Sequence, residues 1–341
     1  MEQSKTNKII LVTGACGQIG TELVKFLRQV NGSECVIASD IKPETYDLLK
    51  EGQYKFLDVL DIVSLEKIVK NCGVTHIYHL AAILSANGEQ RPLQTWDVNM
   101  TSLLNVLEVA RLNNVEQVFW PSSIAVFGQA SPKNNCSQLA IHDPSTVYGI
   151  SKSAGEYWCR YYYEQYGLDI RSLRYPGLIS HSAEAGGGTT DYVVAIFHKA
   201  ITEGAYECFL NEHTNLPMMY MEDALRATVE LMEASLEGIS KITSYNIAGM
   251  SFTPFELATE ISTYIDDFLI TYKPDHRQRI ADSWPYIIDD NQAKQDWGWT
   301  PQYNISTMTV DMIDKLNRIY STRANENRSQ LNIASNKLES S

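Results

Sequence analysis

Residues 8–20 read Lys8-Ile-Ile-Leu-Val-Thr-Gly-Ala-Cys-Gly-Gln-Ile-Gly20, in which an apolar run leads into three glycines spaced three residues apart. The apolar run predicts a short buried strand, and the apolar spacing over 18–30 predicts a helix directly after it. Gly14 would permit the tight turn, Gly17 would let a bound pyrophosphate approach the backbone, and Gly20 would let the helix pack closely on the sheet. The helix N-terminus would offer N–H groups and a positive dipole end to the phosphates. Glycines in this context predict a dinucleotide-binding turn, with a purely structural turn as the alternative.

The acidic residue that such a turn requires is also present. Asp40 lies 20 positions after Gly20, at the end of a strand predicted at 34–39. Its carboxylate would accept hydrogen bonds from both hydroxyls of the adenosine ribose and would repel a 2′-phosphate. Lys42 partly offsets that repulsion. The sequence therefore predicts NAD as the cofactor in preference to NADP.

Apolar runs and amphipathic segments alternate along the first half of the chain. The predicted strands are 8–12, 34–39, 54–57, 75–80, 116–121 and 168–173, and the predicted helices are 18–30, 64–71, 95–112 and 146–166, with Gly167 ending the last of them. This alternation predicts βαβ units and hence an α/β fold, a doubly wound parallel sheet of the Rossmann type.

The alternation stops after residue 175, where a smaller C-terminal substrate lobe is expected. We predict that 1–175 form the NAD-binding domain, with 217–250 and 285–300 returning to it. The predicted lobe comprises 176–216, 251–284 and 301–321. The polar segment 322–341 has no periodic apolar face and is predicted to be a disordered tail.

Composition argues against several classes of function. The chain has 341 residues and a net charge of −13, so it offers no basic field for nucleic acid. Its apolar runs are shorter than the roughly 20 residues that span a bilayer, and its N-terminus leaves no room for a signal peptide. The six scattered cysteines favour reduced thiols and a cytoplasmic protein. No histidine or cysteine spacing indicates a metal, so none is expected.

The chemistry centres on Val147-Tyr-Gly-Ile-Ser-Lys-Ser-Ala-Gly-Glu156. Tyr148 and Lys152 are four residues apart and share a helix face, although a packing tyrosine beside a solvated lysine is the alternative. Ser123 follows a predicted strand at the carboxyl edge of the sheet, where it could hydrogen-bond a substrate hydroxyl. Tyr148 is the predicted acid/base, because Lys152 and the positive nicotinamide would both lower the phenol pKa from about 10 toward neutrality. Lys152 would also reach the nicotinamide ribose.

Two further strand ends are expected beside the cofactor. Asp58 and Val59 lie on the adenine side, where Asp58 would accept a hydrogen bond from the adenine amino group or, alternatively, cap the next helix. The small residues after His79 would let the backbone pass close to the cofactor. His79 itself is predicted to be a hydrogen-bonded core histidine.

Together these motifs resemble the extended short-chain dehydrogenase/reductase superfamily over about residues 8–320. Within it, GACGQIGTEL, PSSIAVFG, YGISKSAGE, RYPGLIS, GGGTTDY, MMYMEDALRAT, SWPYIIDD and DWGWTP resemble the NAD-dependent L-threonine 3-dehydrogenases that use no zinc. The resemblance implies oxidation of L-threonine to L-2-amino-3-oxobutanoate with NAD. Those proteins often carry threonine where this chain has Ser123, and the hydroxyl is retained.

The resemblance also implies a set of site residues. The implied catalytic residues are Ser123, Tyr148 and Lys152. The implied cofactor-binding residues are Gly14, Gly17, Gln18, Ile19, Gly20, Asp40, Asp58, Val59, Leu80, Ala81, Ala82, Asn99, Tyr148, Lys152 and Tyr175. The implied substrate-binding residues are Ser85, Ser123, Tyr148, Thr189, Thr190 and Trp284. Thr189 and Thr190 would hold a carboxylate at a helix N-terminus, with mere helix capping as the alternative, and the alternative for Trp284 is packing.

Two other functions stay open at this point. A nucleotide-sugar epimerase or dehydratase of the extended type would share the cofactor site, but segment 176–216 holds one lysine and no arginine for a diphosphate. A non-catalytic NAD-sensing protein would usually lack the tyrosine–lysine pair. A homodimer is expected, because 95–112 and 146–166 match the helices through which this superfamily commonly dimerises.

Overall fold

Strands and helices alternate along the first half of the chain, as the sequence predicts. The computed structural model describes residues 8–43, 52–182, 188–240 and 244–338, with the backbone alone at 86–87 and 323–338. The strands are β1 (Ile10–Thr13), β2 (Val36–Asp40), β3 (Tyr54–Phe56), β4 (His76–His79), β5 (Gln117–Phe119), β6 (Ser122–Ser123), β7 (Asp169–Tyr175), β8 (Gly177–Ile179), β9 (Ala205–Cys208), β10 (Leu216–Tyr220), β11 (Ser244–Asn246), β12 (Met250–Phe252) and β13 (Leu269–Tyr272). The helices are α1 (Gln18–Asn31), α2 (Ile62–Cys72), α3 (Ser85–Gly88), α4 (Pro92–Leu112), α5 (Val147–Tyr166), α6 (Tyr192–Glu203), α7 (Met221–Glu233), α8 (Pro254–Ser262), α9 (His276–Ser283), α10 (Asn291–Trp297) and α11 (Ile305–Leu338).

A parallel sheet in the order β11-β7-β5-β4-β1-β2-β3 forms the centre of the molecule, with β6 beside the end of β7. From β1 the chain builds outward to β3, then crosses back to place β4 on the other side of β1. The strand order therefore reverses between β1 and β4, and the crevice at the carboxyl ends there is where ligands bind in such sheets. The predicted α/β doubly wound fold is confirmed.

Helices cover both faces of this sheet, which explains why β1 is a continuous apolar run. Apolar side chains of α1 and α7 pack on one face, where Leu23 and Leu27 are fully buried. Those of α2, α4 and α5 pack on the other, around Leu103 and Leu107.

The predicted helix 146–166 is confirmed as α5, and its ends have local causes. The Thr146 hydroxyl caps it by accepting a hydrogen bond from the Gly149 amide at 3.0 Å, and Gly167 ends it in the left-handed conformation at φ 70°. Gly149 permits a close approach, because an added β-carbon would lie 2.2 Å from the Ala125 carbonyl oxygen. Its presence inside a helix is therefore explained by contact with the segment that follows Ser123.

A second group of elements stands apart from the central sheet. Strands β8, β10 and β12 form one small sheet, β9 and β13 form another, and α6, α8, α9 and α11 contribute to the core around them. Segment 217–250 is predicted to return to the NAD-binding domain. Within it, α7 packs on the central sheet and β11 joins that sheet, whereas β10 does not. Strand β8 follows β7 in the chain, directly after Pro176, but lies in the small sheet. Strand β10 pairs with β8 there and does not extend the central sheet.

The prediction of a disordered tail over 322–341 is wrong for the backbone as far as Leu338, which continues α11. The segment contains no proline or glycine. Because α11 is already nucleated by its packed first turns, adding residues to it needs no new nucleation.

Within the described ranges, we find no helix that combines the length and the apolar character needed to cross a membrane.

Candidate active site

A cleft of about 830 Å³ lies over the carboxyl ends of β4, β6 and β7. It brings together side chains that are far apart in sequence. Its lining includes the predicted residues Gln18, Ile19, Leu80, Ala82, Ser85, Ser123, Tyr148, Lys152, Tyr175, Thr189, Thr190 and Trp284.

A second cavity of about 900 Å³ lies on the other side of the glycine turn. Its lining includes the predicted residues Gly14, Gly17, Asp40, Asp58, Val59, Leu80, Ala81 and Ala82. Leu80 and Ala82 line both cavities, so the two adjoin behind the end of β4. An elongated ligand can therefore extend from Asp40 to Tyr148.

The glycine turn fits the backbone of a dinucleotide. Gly14 has φ +69°, and a β-carbon there would lie 2.6 Å from the Ala81 amide nitrogen. An added β-carbon at Gly20 would lie 2.2 Å from the Gly14 carbonyl oxygen, which assigns Gly20 to helix packing. Gly17 is less crowded than Gly14 and Gly20, since an added β-carbon would have one neighbour among the described residues within 4 Å, the Gly14 carbonyl oxygen at 3.3 Å, and Gly17 lines the second cavity. Backbone amides at the start of α1 are thus accessible to a pyrophosphate.

Asp40 is held at the rim of the second cavity by the backbone around it. Its carboxylate accepts hydrogen bonds from the Cys16 amide at 2.9 Å and the Lys42 amide at 3.1 Å, one on each oxygen. A carboxylate has about four acceptor positions, so capacity remains for two ribose hydroxyls. The residues present fit NAD.

The predicted catalytic side chains meet at the end of β6. Lys152 Nζ donates a hydrogen bond to the Pro121 carbonyl at 2.6 Å and lies 5.5 Å from the centre of the Tyr148 ring. The Ser123 hydroxyl accepts from the Ala125 amide at 3.1 Å and is hydrogen-bonded to Tyr148. A substrate hydroxyl beside Ser123 would therefore also be beside the phenol oxygen.

Burial shifts the two titratable side chains in opposite directions. It raises the pKa of Tyr148 to about 12, an effect that the hydrogen bond to Ser123 partly opposes. It lowers the pKa of Lys152 to about 7. Without NAD, desolvation of the phenol thus outweighs the attraction of a lysine that is bonded to Pro121. That Lys152 and the nicotinamide together lower the phenol pKa stays a prediction for the protein with NAD bound. A second positive charge beside the phenol is needed to favour the phenolate.

The loop before α6 places two hydroxyls in the cleft. Thr189 is 1% exposed, and its Oγ1 is buried with no hydrogen-bond partner among the described residues. Capping by the threonines is not seen among the described residues, since the N-cap residue is Asp191 and its side chain makes no hydrogen bond to the helix amides. Asp191 instead accepts a hydrogen bond from the Gly188 amide at 2.7 Å. Part of the glycine-rich loop, 183–187, lies outside the described residues.

Ser85 and Trp284 complete the lining from two different parts of the chain. Ser85 begins α3 after β4, and Trp284 follows α9 in the second group of elements. Both are nearly fully buried. Trp284 also packs in the apolar core of that group, so the packing interpretation and the cleft interpretation hold together.

Two predicted cofactor-binding residues have polar groups that are hydrogen-bonded within the protein. Asn99 does not line either cavity, because its amide exchanges hydrogen bonds with the Ile83 backbone and donates to Ser151. Tyr175 lines the cleft, but its hydroxyl is bonded to Thr228. These bonds leave Asn99 and the Tyr175 hydroxyl in supporting positions instead of at the cofactor.

The structure also shows the hydrogen bonds of His79 and of Asp58. His79 is a hydrogen-bonded core residue, as predicted, with Thr13 at 2.7 Å and Ser102 at 3.2 Å, and burial lowers its pKa to about 3. Asp58 does not cap α2, because Asp61 does so. Asp58 accepts a hydrogen bond from the Leu60 amide at 2.9 Å and borders the second cavity.

Several lining residues were not predicted from the sequence. They share positions next to strand ends or to predicted residues: Leu84, Pro121, Ser122, Ile124, Pro176, Gly177 and Leu178. Their nearness in the chain to Ser85, Ser123 and Tyr175 was the available signal. In the described part of the chain, no group of three or more metal-ligating side chains could hold a metal ion.

The site and fold have counterparts among known proteins. The family model for the NAD dependent epimerase/dehydratase family matches residues 10–248. An uncharacterized epimerase/dehydratase of Staphylococcus saprophyticus is 46% identical over 91% of this chain and 97% of its own length. A GalE-like L-threonine dehydrogenase from Cupriavidus necator, in its holo form, is 52% identical with a TM-score of 0.89 and covers 90% of this chain and 99% of that chain. A monomeric L-threonine 3-dehydrogenase from a metagenome database, in its apo form, is 49% identical with a TM-score of 0.88 and covers 91% of this chain and 99% of that chain.

Proposed function

This chain belongs to the NAD dependent epimerase/dehydratase family, and on that premise we propose that it is an NAD-dependent L-threonine 3-dehydrogenase. The reaction is the oxidation of L-threonine to L-2-amino-3-oxobutanoate. The observation that carries the proposal is the Thr189 hydroxyl, which is buried in the same cleft as Ser123 and Tyr148 and has no hydrogen-bond partner in the described part of the chain. A small substrate with a hydroxyl at one end and a carboxylate at the other satisfies both sides of the cleft.

Each catalytic side chain has a defined task in this proposal. NAD supplies the hydride acceptor. Ser123 donates or accepts a hydrogen bond at the β-hydroxyl of threonine and orients it toward Tyr148. Tyr148 in its phenolate form receives the hydroxyl proton and becomes a phenol, and Lys152, held by the Pro121 carbonyl, supplies positive charge beside it.

The remaining lining residues bind the parts of the two molecules that do not react. Thr189 and Thr190, with the amides at the start of α6, bind the substrate carboxylate. Ser85 and Trp284 close the substrate end of the cleft. Gly14, Gly17, Asp40 and the ends of β3 and β4 bind the adenosine and pyrophosphate of NAD. In this proposal the central sheet domain binds NAD, and the second group of elements binds the substrate.

A nucleotide sugar fits the cleft less well than an amino acid. Among the described residues that line it, Lys152 is the one cationic side chain, and Lys152 is already bonded to Pro121. A diphosphate needs arginine or lysine partners that this lining does not offer.

Assembly and location follow from other parts of the structure. We assign a homodimer formed through α4 and α5, whose outer faces expose Trp96, Tyr157, Trp158 and Tyr161. We assign the protein to the cytoplasm, with which its six free cysteines are compatible.

A substrate screen that follows NADH absorbance tests the proposed function. L-Threonine with NAD should give steady NADH production, and UDP-sugars should give no turnover. NAD binding without turnover of any amino acid would favour a sensing protein. Conversion of a UDP-sugar without threonine oxidation would identify an epimerase or dehydratase.

A further inference from the structure

A buried ion pair lies directly behind the catalytic side chains. Glu156 is 3% exposed and lies one helical turn beyond Lys152 on α5. One of its oxygens accepts hydrogen bonds from the Ser122 hydroxyl at 2.6 Å and Arg174 Nε at 2.9 Å. The other accepts from Arg174 Nη2 at 2.8 Å. Arg174 belongs to β7 and is paired in register with Ser122 of β6, so the ion pair joins α5 to the sheet.

The contacts of α5 with the end of β6 follow the helical repeat. Residues 148, 152 and 156 are each four apart, and they bond Ser123, the Pro121 carbonyl and Ser122, respectively. Three successive residues of the strand end are therefore held by three successive turns of one helix. The third contact, between Glu156 and Ser122, involves none of the three catalytic side chains.

We propose that Glu156 is a positioning residue for this reaction, which fixes the β6 end that carries Ser123 and keeps Lys152 an ammonium ion beside Tyr148. The inference rests on the proposed function. It assigns to Glu156 two separable effects, one carried by its bond to Ser122 and one carried by its negative charge.

The charge effect requires that Glu156 be the negative group that Lys152 experiences. Besides Tyr148 and Glu156, Lys152 has Cys159 on α5 and His79 on β4 as titratable neighbours. Burial raises the pKa of Cys159 far above neutrality and lowers that of His79 to about 3, so both are uncharged at pH 7. Glu156 remains ionised, because Arg174 and its other hydrogen bonds overcome the desolvation of its carboxylate and lower its pKa.

His142 is the remaining titratable group at the ion pair. Its Nε2 lies 3.0 Å from Arg174 Nη2 and 3.7 Å from the Glu156 carboxylate. Burial lowers the pKa of His142, which keeps the ring neutral above pH 7. A neutral His142 therefore does not cancel the negative charge of Glu156, and the cation paired with that charge is Arg174.

The test compares Glu156→Gln, Ser122→Ala and the control Glu22→Gln. Glu22 is also a buried carboxylate bonded to a serine, Ser180, but it lies on α1 away from Lys152. We expect Glu156→Gln to lower kcat by about tenfold or more and to move the midpoint of the alkaline limb of the kcat profile, where Lys152 loses its proton, about one pH unit lower. Ser122→Ala should lower kcat by about tenfold with that midpoint, the KM for threonine and the affinity for NAD unchanged. Glu22→Gln should change neither kcat nor the midpoint.

A second measurement uses the protein without NAD. Lys152 Nζ lies 4.5 Å from the centre of the Trp120 ring, so its titration should change tryptophan fluorescence. The difference between each protein and its Lys152→Met counterpart isolates that signal. We expect the fluorescence midpoint to be about one pH unit lower in Glu156→Gln than in wild type, and unchanged in Ser122→Ala.

The outcomes separate this inference from the proposed function. If wild type does not oxidise threonine, the proposed function fails, and the fluorescence midpoints still decide the charge effect. If wild type is active and Glu156→Gln loses kcat with both midpoints unmoved, Glu156 is merely structural and the inference is overturned. If Glu156→Gln does not fold, Ser122→Ala decides, and a wild-type kcat in that variant overturns the positioning role.

Discussion

Tyr148 and Lys152 illustrate how one environment acts differently on an acid and on a base. Both lose water on burial, so each favours its neutral form, with the pKa of Tyr148 raised to about 12 and that of Lys152 lowered to about 7. In the protein alone at neutral pH, Tyr148 is therefore neutral, and Lys152 is divided about equally between its charged and neutral forms. A positive charge arriving beside the phenol would reverse this balance, so the base would be active only when the cofactor is in place.

Tyr148→Phe tests the base directly. The variant lacks the oxygen that receives the proton, while its ring still packs. We expect kcat to fall by orders of magnitude and the affinity for NAD to stay near that of wild type, as measured by steady-state kinetics and NAD titration. A Phe variant that keeps a tenth of wild-type turnover would show that another group is the base.

Lys152→Met tests what burial of the lysine does to folding. The pKa of Lys152 is lower in the folded protein, about 7, than the value near 10.4 of an unfolded chain, so the unfolded state binds more protons between these pH values. Lys152 therefore makes the free energy of unfolding rise with pH between about 7 and about 10.4. Below pH 7 its destabilisation of the folded state is at its maximum. Methionine removes the dependence.

We expect Lys152→Met to be inactive but more stable than wild type, by a margin that is largest near pH 7 and shrinks as the pH rises to 10. Urea denaturation at several pH values measures the margin. A margin that stays constant or grows with pH would contradict the assignment of a depressed lysine pKa.

At the scale of elements, the start of α6 couples the second group of elements to the cleft. The side chain of its N-cap residue, Asp191, does not cap it, and within the described ranges the buried Thr189 hydroxyl has no partner. Gly177 of β8 allows this turn to lie close, because a β-carbon there would be 2.7 Å from Thr190 Cγ2. A ligand carboxylate would supply the missing hydrogen-bond partner.

Thr189→Ala and Thr190→Ala test that carboxylate site. The carboxylate is remote from the chemistry and is bound similarly in the ground and transition states, so its loss should appear mainly in KM. A charge-assisted hydrogen bond contributes about 1.5–3 kcal/mol, and we expect a roughly ten- to hundredfold higher KM for threonine with unchanged NAD affinity.

Threonine amide is the matched substrate control. It lacks the carboxylate, so it should be a poor substrate for wild type and little further impaired in the two variants. Normal KM values for threonine in both single variants would place the carboxylate site elsewhere.

At the scale of the whole molecule, α5 has two faces with different partners. One face packs on the sheet and on α4, while Tyr157 and Tyr161 on the outer side are 55% and 45% exposed. Together with Ala154 and Trp158 they border a shallow groove. Exposed aromatic groups of this kind are enriched at protein interfaces.

We expect light scattering at micromolar concentration to give the mass of a dimer. Tyr161→Arg places a charge in the proposed interface and should give a monomer, whereas Tyr264→Arg, at a comparably exposed aromatic residue outside α4 and α5, should leave the dimer intact. A monomeric mass for wild type would remove the proposal.

Much of the cofactor side of the site was predictable from the sequence because its determinants are local. The turn at Gly14 needs a positive φ, and the caps at Thr146 and Gly167 act within one helical turn. Alternating apolar segments predicted six of the eight described strands of the central sheet to within a few residues, and β6 and β11 were not predicted. Such features depend on neighbours in the chain, which a sequence displays.

Tertiary structure decided what depends on contacts between distant segments. The pKa values of Tyr148 and Lys152 follow from desolvation, which no local pattern gives. The pairing of β10 with β8, and the Glu156–Arg174 ion pair, join segments that the sequence leaves independent. The sequence by itself thus determined the parallel sheet, the glycine turn and the tyrosine–lysine spacing. Only the tertiary structure decided which polar groups in the cleft remain without partners, because hydrogen-bond satisfaction and burial are properties of the assembled molecule.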